Sequence, residues 1–471
     1  MKAVAKCLLM LWFGTIAAHA QILKFQHIVV IVQENRTPDN LFQGLCTSST
    51  HSVKRCSTTP SSTQYNIQTG YWLDKHSLRG VTQPTPVPLA NNYDLSHAHP
   101  AFIKMCNADA ATRVCKMDGA GDIPCGGTCP SKPQFKFVDN STGIVDPYIH
   151  LATRYGWANY MFQTNQGPSF PAHQFLFGGT SAPSAADDAA GIFAAENMSG
   201  GATTIAGCIA KAETTVDVVT PSGETTSIYP CFEHATMADL LFTWRYYTPS
   251  AGSIWTAPNA IQHICQSSGP GGTCTGQAWS KNVDLRPADV LNDIASCSLR
   301  SVSWVIPTGV NSDHAAANDG GGPSWVASIA NAIGSSTTCD NNTGYWTNTA
   351  IFITWDDWGG WYDHEPPTIL AQPQGDYQYG FRVPLIVVSA YTPSGYISNA
   401  RHDFGSILRF IEHNFGVSEG ALHFADARAQ NNLTEFFNLN TAPRPFQNII
   451  TEKDAAFFLM DMRPATDPDD D

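Results

Sequence analysis

Two short apolar runs, each ending abruptly in acidic and amide residues, constrain this chain most. The first is Ile28–Val32, five consecutive apolar β-branched residues, followed by Gln33-Glu34-Asn35-Arg36. A strand covered on both faces of a parallel sheet reads this way. In open α/β sheets ligands bind at the carboxyl ends of strands. A carboxylate and an amide placed there can hold a metal ion through oxygen. Taken alone, Glu34 and Asn35 read as caps for the next segment. A second strand of the same design reverses that reading. Thr349–Thr354, TAIFIT, runs into Trp355-Asp356-Asp357-Trp358-Gly359-Gly360. Adjacent aspartates repel each other unless a cation or hydrogen bonds offset their charge. Two parallel strands ending in acids place those acids on one edge of one sheet.

The other segments fit an α/β chain with loop insertions. Asp146–Phe162 reads as a helix followed by a short strand, Val302–Ile306 and Val383–Ser389 as strands, and Ser324–Gly334 as a helix with a glycine stop. Thr236–Tyr247 reads as a helix leading into a strand. Asp403–Gly416 gives the clearest helix: Phe404, Ile407, Leu408, Ile411 and Phe415 share a face, with Asp403 as cap and Gly416 as stop. Cys46–Pro100, Ser181–Gly201 and Gly252–Gly276 read as irregular, and Cys106–Cys129 as a disulfide-stapled excursion with little core of its own. There is no internal repeat.

Three further stretches carry candidate chemistry. In Asp94-Leu95-Ser96-His97-Ala98-His99, two histidines two apart can supply ligands or a proton donor. In Asn165-Gln166-Gly167-Pro168-Ser169-Phe170-Pro171, Ser169 sits where a helix begins. Backbone N–H groups and the helix dipole there favour phosphate, although such a serine is more commonly an ordinary cap. Ser312-Asp313-His314 precedes a glycine run.

The N-terminus, MKAVAKCLLMLWFGTIAAHA, has basic, apolar and Ala-His-Ala parts that match a secretory leader cleaved before Gln21. The chain then divides into a leader (1–20), one domain (21–442) and a tail (443–471), in a secreted or periplasmic protein. Without Cys7, twelve cysteines remain, and disulfides are the expected state of an exported protein. Cys46–Cys56, Cys265–Cys274 and Cys208–Cys231 are plausible local pairs. Cys125 and Cys129 have zinc-like spacing but no matching second pair, so no zinc knuckle is expected. The formal charge of −14, or −16 once Lys2 and Lys6 are removed, disfavours nucleic acid and anionic membranes as steady partners. Stable membrane insertion is not expected, and no protein partner is evident.

The segments ENRTPDNLF, NQGPSFPAH, SDH before a glycine-rich turn, FITWDDWGGWYDHEPP and GFRVPLIVVS resemble the bacterial phosphoesterase family. That family contains secreted phospholipases C and acid phosphatases and is related to the alkaline-phosphatase superfamily. The motifs follow the family's order over roughly residues 25–420. The resemblance implies an α/β/α sandwich with a central, largely parallel sheet. It implies Glu34, Asn35, Asp356 and Asp357 as metal-binding residues, and Ser169 as the hydroxyl at the metal and the nucleophile. It implies His97 and His314 as histidines of the phosphate site, one of them the general acid. His364 also falls on a family motif and reads equally as structural. Thr37-Pro38, Asn40-Leu41, Ala172 and Ala315 depart from the family's common residues and bear on substrate identity. The implied function is hydrolysis of a phosphate ester with a divalent cation, a hard oxygen-ligated ion such as calcium, magnesium or manganese. Phospholipase C-type cleavage of a phospholipid through a phosphoserine comes first, and acid phosphatase action on monoesters second. A catalytically silent exported metal-binding protein is the alternative from another class. A sulfatase-type activity lacks the Cys/Ser-x-Pro-x-Arg motif it would need.

Overall fold

The computed structural model describes residues 24–47, 56–200, 204–371 and 377–465. The leader expected at 1–20 and the last acidic residues of the chain lie outside these. The centre of the fold is an eight-stranded sheet built from β1 (His27–Gln33), β2 (Gly156–Met161), β3 (Trp244–Tyr247), β4 (Val283–Asp284), β5 (Val302–Val305), β6 (Thr349–Trp355), β7 (Leu385–Val388) and β8 (Tyr396–His402). Its order is β4-β3-β5-β1-β6-β7-β2-β8. Only the pairings of β7 with β6 and with β2 are antiparallel; the others are parallel. The largely parallel sheet expected from the sequence is therefore present.

Helices cover both faces. Phe352 on β6 packs on Phe410 of the helix Phe404–Phe415, with ring centroids 5.0 Å apart. Trp355, of opposite parity on the same strand, meets Tyr148 of the helix Asp146–Arg154 at 5.1 Å. Because successive strand side chains alternate, these helices lie on opposite faces. Ile28–Val32 are fully buried between the layers, which accounts for their unbroken apolar run. The helix expected at 403–416 runs from Phe404 to Phe415. Asp403 caps it reciprocally with Ser406, and Gly416 ends it in the left-handed region.

Two readings of the sequence are corrected. Ser181–Gly201 is not irregular: it forms a helix, Ala185–Ala190, and a strand, Phe193–Met198. The Ser184 side chain accepts the Asp187 N–H and Gly191 closes the helix, a start and stop that the alanine-rich composition hid. The excursion at 106–129 has more core than expected. Met105, Cys106, Cys115, Met117, Ala120 and Ile123 join Trp72, Tyr93, Phe102, Trp358 and Trp361 in a second buried cluster. The edge strand β8 was not foreseen. All twelve cysteines of the described residues are paired, as Cys46–Cys56, Cys106–Cys115, Cys125–Cys129, Cys208–Cys231, Cys265–Cys274 and Cys297–Cys339. The three pairs named from sequence are among them, and the zinc-like pair is a disulfide. Among the described residues no helix is long and apolar enough to cross a membrane.

Candidate metal and phosphate site

β1 and β6 are neighbours in parallel register, with Gln33 opposite Trp355, so Glu34 leaves the sheet beside Asp356. Backbone hydrogen bonds continue past the strands, from the Asp356 N–H to the Gln33 carbonyl (2.9 Å) and from the Arg36 N–H to the Asp357 carbonyl (3.0 Å). Asn35 turns the chain at φ 62°, a conformation asparagine tolerates better than most residues, and its N–H donates to Asp356 Oδ1 at 3.1 Å. Gly359 fits against this turn only for want of a side chain. A Cβ there would stand 2.4 Å from the Asn35 carbonyl oxygen, at a φ of +59°.

The structure brings the sequence-expected residues together in two linked groups. In the first, ligand atoms of Glu34, Asp356 and His173 all lie within 4.8 Å of one another. His173 Nε2 is 3.3 Å from Glu34 Oε1 and 3.8 Å from Asp356 Oδ2. In the second, Ser169 Oγ donates to Asp357 Oδ2 at 3.2 Å, while Asp357 Oδ1 accepts the Gly359 N–H at 2.7 Å. The Asn35 side-chain amide donates to His97 Nε2 at 3.0 Å. His97 Nδ1 in turn faces the Leu95 carbonyl at 2.9 Å, so the ring reads as neutral with its proton on Nδ1. That contact aims the Asn35 side-chain nitrogen at His97.

His314 completes the enclosure. Its ring lies 6.0 Å from that of His97. Its Nδ1 meets the Ala315 carbonyl at 2.6 Å, and its Nε2 is 4.0 Å from Asp94 Oδ2. Glu34, Asn35, His97, Ser169, His173, His314, Asp356 and Asp357 are all fully buried.

His173 was not singled out from sequence. The signal was present: it follows Ser169 by four residues in the helix Ser169–Gly178, and such residues share a helix face. The helix start itself offers an anion less than expected. The Phe170 N–H is taken by Asn197 Oδ1 at 2.9 Å, and Pro171 has none. His364 lies apart from the cluster. It bonds Asp39 Oδ2 at 2.7 Å and takes the Asn66 side-chain amide N–H on Nε2 at 2.9 Å. Ligand atoms of Asp39, Asp363 and His364 also lie within 4.8 Å of one another, but there Arg382, 2.8 Å from Asp363, already offsets the carboxylate charge. Asp313, next to His314, is also structural in its contacts. Tyr148 and Trp355 donate to its Oδ2 at 2.9 and 3.0 Å, and burial pushes its carboxyl up to about 6.

The donor set fits a divalent cation. Two carboxylates and an imidazole converge within the span of one coordination sphere, with a third carboxylate, an amide and a hydroxyl beside them. Asp356 Oδ2 is buried and accepts no hydrogen bond, as expected of an oxygen kept for a ligand.

A model of the Phosphoesterase family matches residues 25–418. Over 236 residues the chain is 25% identical to a non-hemolytic phospholipase C of Pseudomonas aeruginosa, covering 44% of this chain and 33% of that one. A non-hemolytic phospholipase C of Burkholderia pseudomallei is 30% identical over 150 residues, 27% of this chain and 21% of that one. A hemolytic phospholipase C of Pseudomonas aeruginosa is 24% identical over 314 residues, covering 59% and 39%. The matched stretches thus take in between 21% and 39% of the length of these relatives. Among solved structures, a protein in the alkaline phosphatase superfamily from Vibrio parahaemolyticus aligns with a TM-score of 0.31 at 12% identity, over 58% of this chain and 61% of that one.

Proposed function

The chain belongs to the Phosphoesterase family, and from that premise we propose that it is an exported, metal-dependent hydrolase of phosphate esters, with phospholipase C-type cleavage of phospholipid as the leading activity. The observation that carries this is the Ser169 hydroxyl bonded to Asp357 beside the Glu34–His173–Asp356 group. Six disulfides suit an oxidising compartment, which supports the export reading.

Glu34, Asn35, His173, Asp356 and Asp357 would hold the cation. When bound, it offsets the buried carboxylate charge and polarises a phosphoryl oxygen. The imidazole of His173 adds nitrogen to an oxygen-rich set, which moves the preference from calcium or magnesium toward manganese or zinc. Ser169 Oγ attacks phosphorus and its proton passes to Asp357 Oδ2. The bond to the leaving oxygen breaks, and that oxygen takes a proton from His314 Nε2. Water then attacks phosphorus and gives a proton to His314 Nε2, while the bond from phosphorus to Ser169 Oγ breaks and that oxygen takes back the proton held by Asp357, releasing the phosphate product and the starting residues. His314 suits the acid role better than His97. Each Nε2 lies near a carboxylate, that of His314 at 4.0 Å from Asp94 Oδ2 and that of His97 at 3.8 Å from Asp357 Oδ2, but the His97 Nε2 also takes the Asn35 amide N–H and is thereby committed to orienting that side chain. His97, by taking the Asn35 amide nitrogen, would orient that side chain as a ligand for the cation.

A second reading, phosphomonoesterase action, is favoured by the full burial of the site, since a small monoester needs less opening than a lipid. The test measures turnover of bis-aryl phosphate, mono-aryl phosphate and phosphatidylcholine in mixed micelles, each with and without chelator. Diacylglycerol release sensitive to chelator supports the lipid reading. Monoester turnover alone supports the phosphatase reading. Cation binding without turnover of any ester would favour a silent metal-binding protein.

A further inference from the structure

We infer that Trp255 donates its indole N–H to a phosphoryl oxygen of the substrate and of released phosphate. The inference rests on the phosphate-ester reading above and adds a binding group to it. Trp255 is fully buried, and its Nε1 has no hydrogen-bond acceptor. A buried donor left unpaired carries a desolvation penalty that a bound acceptor removes.

Trp325, Trp358 and Trp361 also carry an N–H without an acceptor, so location decides between them. Trp325 packs on Phe458; Trp358, although next to Asp357 in the chain, has its ring on Phe381 in the second buried cluster; and Trp361, in that same cluster, lies beneath the Arg36 guanidinium. The Trp255 ring lies 6.3 Å from that of His314 and 6.4 Å from that of His173. It therefore forms a wall shared by the proposed acid and the helix that carries the proposed nucleophile.

The indole is also held in place. Its backbone N–H donates to Ser253 Oγ at 3.0 Å, and its carbonyl accepts the Tyr246 hydroxyl at 2.7 Å. That hydroxyl lies 3.4 Å from His173 Nδ1. The neighbouring Ala257 carbonyl accepts Gln174 Nε2 at 3.2 Å, which ties the segment to the helix of Ser169 and His173. An indole donates without accepting and stays neutral at every working pH. In a site with three carboxylates it adds a donor for an anionic oxygen without another titrating group. The donor is preorganised, the condition under which such contacts favour the transition state.

The test replaces Trp255 by phenylalanine, which keeps an aromatic wall and removes the N–H. Inorganic phosphate binding is measured by calorimetry on the full chain supplied with manganese, and kcat and KM with an aryl phosphate. Phosphate should bind about 10-fold more weakly, and kcat should fall by roughly 10²–10³-fold. Trp325→Phe, which removes a comparable N–H away from the site, should change neither. Unchanged phosphate affinity and kcat in a folded Trp255→Phe protein would overturn the proposal. Independently of the variant, an indole N–H resonance of the wild type should move downfield as phosphate is added. If no indole resonance moves, the proposal falls. If the wild type neither hydrolyses the ester nor binds phosphate, the phosphoesterase reading fails along with it; if it does both and Trp255→Phe is unchanged, only the tryptophan proposal fails.

Discussion

Replacing Ser169 by alanine separates chemistry from metal binding more cleanly than any other change at this site. The substitution deletes one oxygen, 3.2 Å from Asp357 Oδ2, and adds no volume. Asp357 keeps the Gly359 N–H on its other oxygen. The helix loses no cap, because Pro168 occupies the cap position and offers no side-chain bond. The stability change should therefore be about 1 kcal/mol, the worth of one hydrogen bond. Three carboxylates and His173 remain for the cation, so its affinity should fall by about 10-fold at most, since only a neutral contact is lost. Turnover should fall by roughly 10⁴-fold or more, the usual consequence of removing a nucleophile. Nitrophenyl phosphate hydrolysis, calorimetric titration with manganese and intact mass after acid quench provide the three readouts. The quench should trap phosphorylated wild type and no phosphorylated alanine variant. A Ser169→Ala protein within about 10-fold of normal turnover would refute the nucleophile assignment and require water to attack phosphorus directly.

The other predictions probe charge, backbone and pH. Asp356→Asn combined with Asp357→Asn should abolish manganese binding in the same titration, because charge rather than shape holds the ion; retained affinity would move the site elsewhere. Gly359→Ala should cost roughly 2–4 kcal/mol in denaturant unfolding, combining left-handed strain with overlap on Asn35. Gly223→Ala, at φ +81° with open space around it, should cost only about 1–2 kcal/mol; equal costs would remove the packing argument. Burial, with Asp426 adding to it, pushes the Glu412 carboxyl up to about 8, so the folded chain holds a proton that the unfolded chain releases near its ordinary value of about 4.3. Stability should therefore decline as pH rises from about 4.5 to about 8, and Glu412→Gln should flatten the upper part of that decline. Asp313, Asp363 and Asp403, each pushed up to about 6 by burial, add to the lower part. A melting temperature constant between pH 6 and 8 in the wild type would contradict the Glu412 argument.

Local patterns determined the two central strands, the helix 404–415 and the acids at the strand ends. An all-apolar run has few alternatives to a doubly covered strand, and an acid or amide that breaks it must leave the sheet at that point. Three disulfides were legible because their cysteines lie close in sequence. The Cys297–Cys339 pair was not, because sequence does not say which distant segments meet. The helix and strand within 181–201 were hidden by alanine- and serine-rich composition, whose stability comes from caps and from burial against neighbours rather than from periodicity.

Tertiary structure alone decided what each site residue touches. The sequence placed Glu34 and Asp356 at strand ends, but the pairing of β1 with β6 set them side by side. Whether His97 donates a proton or orients Asn35 depends on a 3.0 Å contact between segments that the sequence leaves unrelated. His173 becomes a ligand candidate because its helix lies over Glu34 and Asp356, and Trp255 joins the site through a separate loop that packs on that helix. Sequence encodes which residue leaves the sheet and which face of a helix it occupies, since these depend on neighbours along the chain. Distances across the site depend on how separate elements pack, and only the folded chain fixes those.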